Sequence, residues 1–341
     1  MNFFISIVIA MSLVISLEAK TVEDFYSHKV EVPDKVTKVF GSSPPMNYLI
    51  YALNPKKMVG LNFGAKNPNN NATLEYLDSY FLSLPIIGSF HGGGKNINLE
   101  TLLLRKPDLI LVWEDDMMVA TVEKSIKKAK FPTFTIPFRK ITSMPRAIEV
   151  GAIAIDEEQR GKVLSNYAQK IIDEITLSLK DVKPVRYYYA EGIDGLSTEC
   201  DKSFHVEAMN FAGGENVHKC TQSNLLGLEK INVETLYKYN PEVIIAQNDY
   251  IYNQVLYDDI FQNLKAVKNK QVYVVPNTPF NWVDRPPSFM RIIGIQWLAH
   301  TFHPKEYNIN LNDRIKEFYK LFLHKNISAK QIKTILGEEE K

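Results

Sequence analysis

The chain has 341 residues, of which 45% are hydrophobic and 23% are charged, a composition typical of a globular protein with a substantial core. The 40 Lys and Arg residues nearly balance the 39 Asp and Glu residues, which leaves a formal net charge of +1. This balance argues against a polybasic protein that binds nucleic acids or membrane surfaces, and we expect no nucleic-acid partner.

The N-terminus predicts a signal peptide over residues 1–19. Its apolar run ends near Leu17, which is short for a membrane span and suits the hydrophobic region of a leader. Ala19 is the expected last residue of the leader. The alternative is an uncleaved N-terminal anchor, because no Lys or Arg precedes the apolar run. The run is not followed directly by Cys, which argues against a lipid-anchored protein.

Apolar runs typical of buried strands alternate with helix-forming segments along the rest of the chain. In the first half, strands are predicted at 36–40, 57–62, 84–88 and 131–137, with a polar helix at 116–130. Apolar residues near helical spacing then predict one long helix over residues 156–180. Later elements are strands at 185–192 and 271–276 and helices at 288–300, 312–324 and 328–338.

An internal repeat is the most informative pattern. Residues 98–113 read NLETLLLRKPDLILVW, and residues 232–247 read NVETLYKYNPEVIIAQ, an offset of 134. Each copy begins with Asn as a helix N-cap and continues as a short helix. Pro107 and Pro241 end these helices, and the apolar run that follows is typical of a buried parallel strand. Two such units predict two similar lobes.

The predicted fold class is therefore α/β, with two similar α/β lobes joined by one long helix and a ligand cleft between them. We expect the N-terminal lobe at residues 20–155, the connecting helix at 156–180 and the C-terminal lobe at 181–305. Residues 306–341 are expected to form C-terminal helices. The connecting helix would act as a stiff hinge.

The chain has two cysteines, Cys200 and Cys220, which predict a disulfide bond because an exported protein enters an oxidising compartment. The bond would close a loop of about 20 residues, a constraint worth about 3 kcal/mol on the chain-entropy model. Free thiols are one alternative. A metal site is the other, since His205 and His218 lie near the cysteines in sequence.

Several stretches together resemble a known family from about residue 30 to 305. They are SSPPMNYLIYALNPKKMVGLN, LPIIG followed by NLETLLLRKPDLILVW, YYYAEGIDGLSTECDKSFHVEAMNFAGGENV and NWVDRPPSFMRIIGIQWLAHTFHP. The chain resembles the class III, helix-linked periplasmic binding proteins of iron-siderophore, cobalamin, haem and related metal-complex ABC importers. The resemblance implies a monomeric periplasmic protein without a tightly bound cofactor. Such a protein delivers a small metal complex to a permease and ATPase complex at the inner membrane.

Residues that follow predicted strands are the candidates for the cleft, because ligands of α/β lobes bind at strand ends. The candidates are rich in aromatic side chains: Met46, Phe63, Phe90, His91, Trp113, Tyr189, Asn248, Trp282 and Arg285. Arg285 offers a permanent charge to a carboxylate, catecholate or oxyanion, and Trp282 is placed to stack on the same ligand. The alternatives are a structural role for Arg285 in the Pro286-Pro287 turn and a core role for either tryptophan.

His91 precedes three glycines in a loop and is the candidate metal ligand, because imidazole suits nickel, iron, copper or zinc. The alternative is an exposed histidine without a ligand. Glu100 and Glu234 are equivalent in the repeat. In the resembled family, a surface glutamate on each lobe pairs with permease arginines, which implies that docking role here. First-turn charges that stabilise their helices are the other interpretation.

The expected ligand is an iron complex of the siderophore type, ranked first by its frequency in the family. A nickel or cobalt chelate, or molybdate, is the alternative. A secreted metal-dependent enzyme on a two-lobed scaffold is a rival from another class. The sequence has no nucleophile elbow, HExxH motif or P-loop, so we expect no enzyme activity. A secreted adhesin or metal-storage protein is a third alternative, but such a protein would not need two symmetric lobes.

Overall fold

The computed structural model describes residues 19–64, 75–90, 97–114, 116–126, 129–222 and 227–338. The predicted leader lies outside this part of the chain, except for Ala19 at the start of the first strand. Within the described ranges, no helix combines the length and the apolar character needed to cross a membrane.

The N-terminal lobe is built on a parallel sheet in the order β3-β4-β5. Its strands are β1 (Ala19–Glu23), β2 (Lys29–Pro33), β3 (Val39–Gly41), β4 (Leu109–Trp113) and β5 (Thr133–Ile136). The helices are α1 (Pro44–Leu53), α2 (Ser79–Ser83), α3 (Leu99–Arg105), α4 (Asp116–Ile126) and α5 (Met144–Ala154). Strands β1 and β2 form a separate antiparallel hairpin.

Strand β4 shows how the sequence places this sheet. All five of its residues are buried, and they alternate between two cores. Leu109, Leu111 and Trp113 pack in the large core, whereas Ile110 and Val112 pack in a smaller one. A parallel strand covered on both faces requires such a continuous apolar run, and the run ends with Trp113 at the carboxyl edge.

The strands predicted at 57–62 and 84–88 are present only as isolated parallel bridges. Leu61 pairs with Ile86, and Met58 pairs with Val39. The amide of Leu61 donates to the carbonyl of Pro85 at 2.8 Å, but proline has no N–H with which to continue a ladder. The two segments therefore widen the sheet by a single bridge each.

The connecting helix, α6 (Glu158–Ser178), is close to the predicted span of 156–180. Its apolar stripe, which includes Leu164, Ala168, Ile171 and Ile175, is buried against α5 and the core. Gly161 allows the close approach to α5, because a Cβ atom there would lie 2.1 Å from the Cβ atom of Ala152. A tightly packed helix between the lobes fits the expected stiff hinge.

The C-terminal lobe contains a parallel sheet in the order β11-β10-β6-β8. Its strands are β6 (Val185–Ala190), β7 (Ser197–Thr198), β8 (Gly214–Asn216), β9 (Glu229–Lys230), β10 (Val243–Ala246) and β11 (Val272–Val274). The helices are α7 (Glu207–Phe211), α8 (Val233–Tyr239), α9 (Asp249–Tyr257), α10 (Lys265–Lys268) and α11 (Arg291–Phe302). Strands β7 and β9 form a small antiparallel pair.

Two C-terminal helices follow, α12 (Leu311–Phe322) and α13 (Ala329–Leu336), and α12 packs against α1, α11 and α13. The hydroxyl of Tyr51 on α1 donates to the carbonyl of Leu323 at 3.3 Å, and the ring of His324 donates to the carbonyl of Tyr51 at 3.0 Å. On the other side, the hydroxyl of Tyr319 donates to the carbonyl of Thr278 in the C-terminal lobe. Helix α12 thus contacts both lobes.

The predicted repeat is confirmed in the fold. The side chain of Asn98 caps α3 by accepting from the Thr101 amide at 2.9 Å, and Asn232 caps α8 by accepting from the Thr235 amide at 2.8 Å. Both helices end in a left-handed residue directly before proline. Each then leads into a buried strand, β4 or β10, of a parallel sheet, so the two-lobed α/β prediction is confirmed.

Candidate ligand-binding cleft

The two lobes meet at an aromatic contact that holds an arginine. Trp113 ends β4, and Phe204 lies in the loop before α7, with ring centroids 6.4 Å apart. The guanidinium carbon of Arg139, just beyond β5, lies 5.7 Å from the Trp113 ring centroid and 5.3 Å from the Phe204 ring centroid. Both distances are within the range of a cation–π interaction. The contact between the lobes therefore combines two aromatic rings and one guanidinium group.

Trp113 also provides a polar atom to this contact. The tryptophan is 7% exposed, and its ring N–H is buried without a hydrogen-bond partner among the described residues. Buried donors are nearly always satisfied in folded proteins. The indole N–H is therefore a candidate donor to a ligand oxygen.

Arg291, at the start of α11, fixes the backbone on both sides of the contact. Its side chain is fully buried and donates to the carbonyl of Arg139 at 2.7 Å, to that of Phe204 at 2.7 Å and to that of Val283 at 2.8 Å. Arg139 belongs to the N-terminal lobe, whereas the other two acceptors belong to the C-terminal lobe. Arg291 therefore holds the positions of Arg139 and Phe204 without itself facing a ligand.

Arg285 is directed into the C-terminal lobe. Its Nε atom lies 2.8 Å from Glu191, which follows β6, and its Nη2 atom lies 2.6 Å from Glu199, which follows β7. Both glutamates are completely buried, while the Arg285 side chain is 25% exposed. Gln247, which follows β10, donates a further hydrogen bond to Glu191 at 2.7 Å. The charge of Arg285 is thus neutralised by protein carboxylates.

Burial dominates the electrostatics of this cluster. It raises the pKa of Glu191 to about 8, although the positive charge of Arg285 acts in the opposite direction. Burial also raises the pKa of Tyr189 well above its usual range. The Tyr189 hydroxyl and the second oxygen of Glu191 have no hydrogen-bond partner among the described residues. We interpret Glu191 as protonated at neutral pH, because burial holds its pKa above that value.

His205 links this cluster to the aromatic contact. Its Nδ1 atom lies 2.8 Å from both carboxylate oxygens of Asp284, and its ring lies 3.9 Å from the Phe204 ring. Asp284 directly precedes Arg285 and is fully buried. The Asp284–His205 pair therefore positions Phe204 at the edge of the cleft.

Five of the predicted ligand contacts lie in hydrophobic cores: Met46, Trp113, Tyr189 and Trp282 in the large core, and Phe90 in the small core of the N-terminal lobe. Trp113 is 7% exposed at the lobe contact, whereas Met46, Phe90 and Trp282 are at most 1% exposed. The ring N–H of Trp282 donates to the carbonyl of Thr278 at 3.3 Å. These side chains follow strands, but the chain turns them inward, where apolar burial is favourable. We therefore reassign Met46, Phe90 and Trp282 as core residues.

The remaining candidates occupy different environments. Phe63 is 57% exposed, and Tyr189 is fully buried beside the Arg285 cluster. The Asn248 side chain caps α9 by accepting from the Ile251 amide at 3.1 Å, which is a structural role. His91 lies outside the described residues, and its role as a metal ligand stays a prediction.

Two cavities of about 590 and 490 Å³ lie away from the lobe contact. Phe131 and Lys130 line the larger one, beside α4. Tyr273 and Trp297 line the smaller one, near the end of α13. None of the predicted ligand contacts lines either of these two cavities.

Comparison with known proteins decides the family. Residues 90–279 match the family described as "Periplasmic binding protein". The structure of an ABC transporter solute-binding protein from Sulfurospirillum deleyianum superposes with a TM-score of 0.86 at 36% sequence identity, covering 93% of this chain and 99% of that chain. The chain belongs to the periplasmic binding protein family.

Two other relatives of this periplasmic binding protein have named ligands. The molybdate-binding protein MolA of Haemophilus influenzae is 24% identical over 333 residues, covering 90% of this chain and 92% of MolA. A vitamin B12-binding protein of Vibrio parahaemolyticus is 20% identical over 263 residues, covering 77% of this chain and 88% of that protein. Both relatives are named for the ligand that they bind, as is usual for binding proteins rather than enzymes.

This periplasmic binding protein is the substrate-binding component of an ABC importer, and such components deliver their ligand to a permease and ATPase. Sequence reasoning missed Arg139, although the rule of strand ends would have selected it, because it follows the apolar run at 131–137. It also missed Glu199 and Gln247 as partners of the Arg285 cluster. Their role depends on burial, for which the sequence has no local signal.

Proposed function

We propose that this binding protein captures a compact anionic metal species in the cleft at Trp113, Arg139 and Phe204. The position of Arg139 between aromatic rings of the two lobes is the observation that carries the proposal. A ligand placed there would contact both lobes at once. Its negative charge would face the guanidinium group, and its oxygens would lie within reach of the indole N–H.

The distribution of charge favours a small ligand. Arg285 contacts Glu191 and Glu199, and Arg291 contacts backbone carbonyls, so neither offers its full charge to a ligand. We propose that Arg139 faces the ligand, because it lies beside aromatic rings of both lobes. A large ferric catecholate with several negative charges needs several cations. The iron-siderophore ligand ranked first from family frequency is therefore less well matched than an oxyanion or a small carboxylate chelate of iron, nickel or cobalt.

Molybdate is our first candidate, because MolA is a molybdate-binding relative that covers most of both chains. The test is isothermal titration calorimetry of the purified protein with molybdate, nickel–histidine, ferric catecholate and cobalamin in separate experiments. We expect one molybdate per chain. Binding of ferric catecholate or cobalamin, without binding of molybdate, would overturn the compact-anion proposal.

A matched pair of variants locates the site. Arg139→Met should abolish most of the affinity, whereas Lys140→Met removes the same charge from the adjacent exposed residue and should leave affinity nearly unchanged. Equal losses in the two variants would indicate only long-range electrostatic attraction. That outcome would remove the contact between Arg139 and the ligand from the proposal.

Delivery to the permease is proposed to use Glu100 and Glu234. Both side chains are exposed in the first turns of the repeat-related helices α3 and α8. Each lobe thus presents one carboxylate at an equivalent position. Paired arginines on a permease with matching two-fold geometry are the complementary partner.

A further inference from the structure

The cysteine pair of the C-terminal lobe lies beside a histidine, in a cluster that ligand capture does not use. Cys200 and Cys220 form a disulfide with Cα atoms 5.0 Å apart. One ring nitrogen of His218 and the two sulfur atoms all lie within 4.8 Å of one another. Cys200 is buried, whereas His218 and Cys220 are partly exposed. Two sulfur atoms and one imidazole thus converge where solvent has access.

The position of His218 is fixed by three hydrogen bonds. Its Nδ1 atom lies 2.9 Å from the hydroxyl of Tyr239, its amide donates to the side chain of Asn216 at 2.9 Å, and its carbonyl accepts from the Asp201 amide at 3.0 Å. Histidines that ligate metals are usually oriented by such a second partner.

We propose that Cys200, His218 and Cys220 form a redox-gated binding site for a thiophilic divalent cation such as Zn²⁺. A dithiol reduces the disulfide: the S–S bond breaks, the two sulfurs become thiols, and the dithiol becomes a cyclic disulfide. Cation binding then releases the two thiol protons and forms two metal–thiolate bonds and one metal–imidazole bond. A water molecule from the exposed side completes four-coordination.

The dimensions of the cluster suit this change. With metal–sulfur bonds of about 2.3 Å, two thiolates on a tetrahedral ion lie about 3.8 Å apart. Opening the disulfide lets the sulfurs separate to that distance, and the imidazole already lies within 4.8 Å of both. Only small side-chain shifts are therefore needed to enclose an ion.

The site adjoins the Arg285 cluster but does not share its side chains. Cys200 directly follows Glu199, and Asn216 joins the two regions because its side chain donates to the Glu199 carbonyl at 2.9 Å. The proposed ion therefore lies outside the cleft that we assign to the transported ligand. Its binding can be tested whatever the transported ligand is.

The test uses the purified full chain, reduced with dithiothreitol and desalted without oxygen. Co²⁺ is the probe, because its thiolate charge-transfer and tetrahedral ligand-field bands report the ligands directly. We expect one Co²⁺ per reduced chain, displacement by Zn²⁺ and no thiolate band in the oxidised protein. His218→Gln should weaken Co²⁺ binding at least about 10-fold, whereas the exposed control His28→Gln should not change it.

His218→Gln keeps both cysteines, so its fold can be verified in the oxidised state by circular dichroism. Cys220→Ser should abolish the thiolate band. The proposal fails if the reduced protein with native circular dichroism shows no thiolate band, or if it unfolds and Co²⁺ does not restore its spectrum. It fails equally if His218→Gln binds Co²⁺ as tightly as the unchanged protein, since the imidazole would then have no role.

Discussion

The Nε atom of Arg285 lies 2.8 Å from a carboxylate oxygen of Glu191, and this contact directs the arginine into the C-terminal lobe. The same guanidinium contacts Glu199 at 2.6 Å. Both acceptors are buried, so removal of the cation leaves acidic side chains without their hydrogen-bond donor in a medium that solvates polar groups poorly. Arg285 is therefore expected to stabilise the lobe more than it binds a ligand.

Arg285→Ala should lower the free energy of unfolding by about 3–5 kcal/mol, the cost of breaking a buried ion pair from one side. Urea denaturation followed by circular dichroism measures this. The control is Arg105→Ala on α3, an exposed arginine whose removal should change stability by less than about 0.5 kcal/mol. An unchanged midpoint for Arg285→Ala would indicate that the side chain faces the ligand, as first expected from sequence.

Glu191 should make the free energy of unfolding depend on pH. Its pKa is raised from 4.5 to about 8 by burial, so between these values the folded state holds a proton that the unfolded state has lost. This contribution to stability is complete at low pH and falls as pH rises through the interval, by at most about 1.4 kcal/mol per pH unit. Urea midpoints at about pH 4, 6 and 8.5, which bracket that interval, measure the effect.

Glu191→Gln is the matched variant, because glutamine keeps the size and the acceptor oxygen but does not titrate. Its stability should vary less over the same pH interval. If the two proteins show parallel pH profiles, Glu191 is ionised throughout, and the burial argument for its protonation is incorrect.

Arg139→Met should weaken binding of the captured anion by about 1.5–3 kcal/mol, the value of a hydrogen bond to a charged group, or about 10- to 150-fold in Kd. Calorimetric titration measures the change, with Lys140→Met as the neighbouring control. Methionine keeps much of the contact with Trp113 and Phe204, so thermal stability should change little. A loss of affinity accompanied by a large loss of stability would point to a structural role.

Reversal of both docking charges, Glu100→Arg with Glu234→Arg, should abolish ligand uptake by cells while leaving affinity in solution unchanged. The reason is like-charge repulsion against permease arginines on both lobes at once. The control reverses two other exposed glutamates, Glu158→Arg with Glu306→Arg, and should transport normally. Normal uptake by the docking variant would exclude these two residues as the permease contacts.

The repeat and the two-lobed fold could be predicted because their signals are local. Asn98 and Asn232 cap helices through amides only three residues away, so a short sequence pattern contains the whole interaction. The long helix was predicted from apolar spacing, which also depends on near neighbours. Helix caps and amphipathic helices of this kind form in any fold that buries the same apolar face of the helix.

The site was harder to predict because its contacts join distant residues. Arg285 meets Glu191 across 94 positions and Glu199 across 86 positions, and no local pattern encodes these pairs. The strand-end rule selects loops but does not determine the direction of each side chain. Phe90 and Trp282 therefore entered the predicted site although they lie in cores, while Arg139 was omitted although it lies between the lobes.

Helix α12 has a consequence for the kinetics of capture. Because it is tied to Tyr51 in one lobe and to Thr278 in the other, the lobes cannot swing far apart without breaking buried contacts. On the proposed function, the two lobes would therefore already be held close together when the ligand arrives, and little free energy would be spent on ordering them. Discrimination between anions of equal charge would then depend on how well each one fits between lobes of fixed separation.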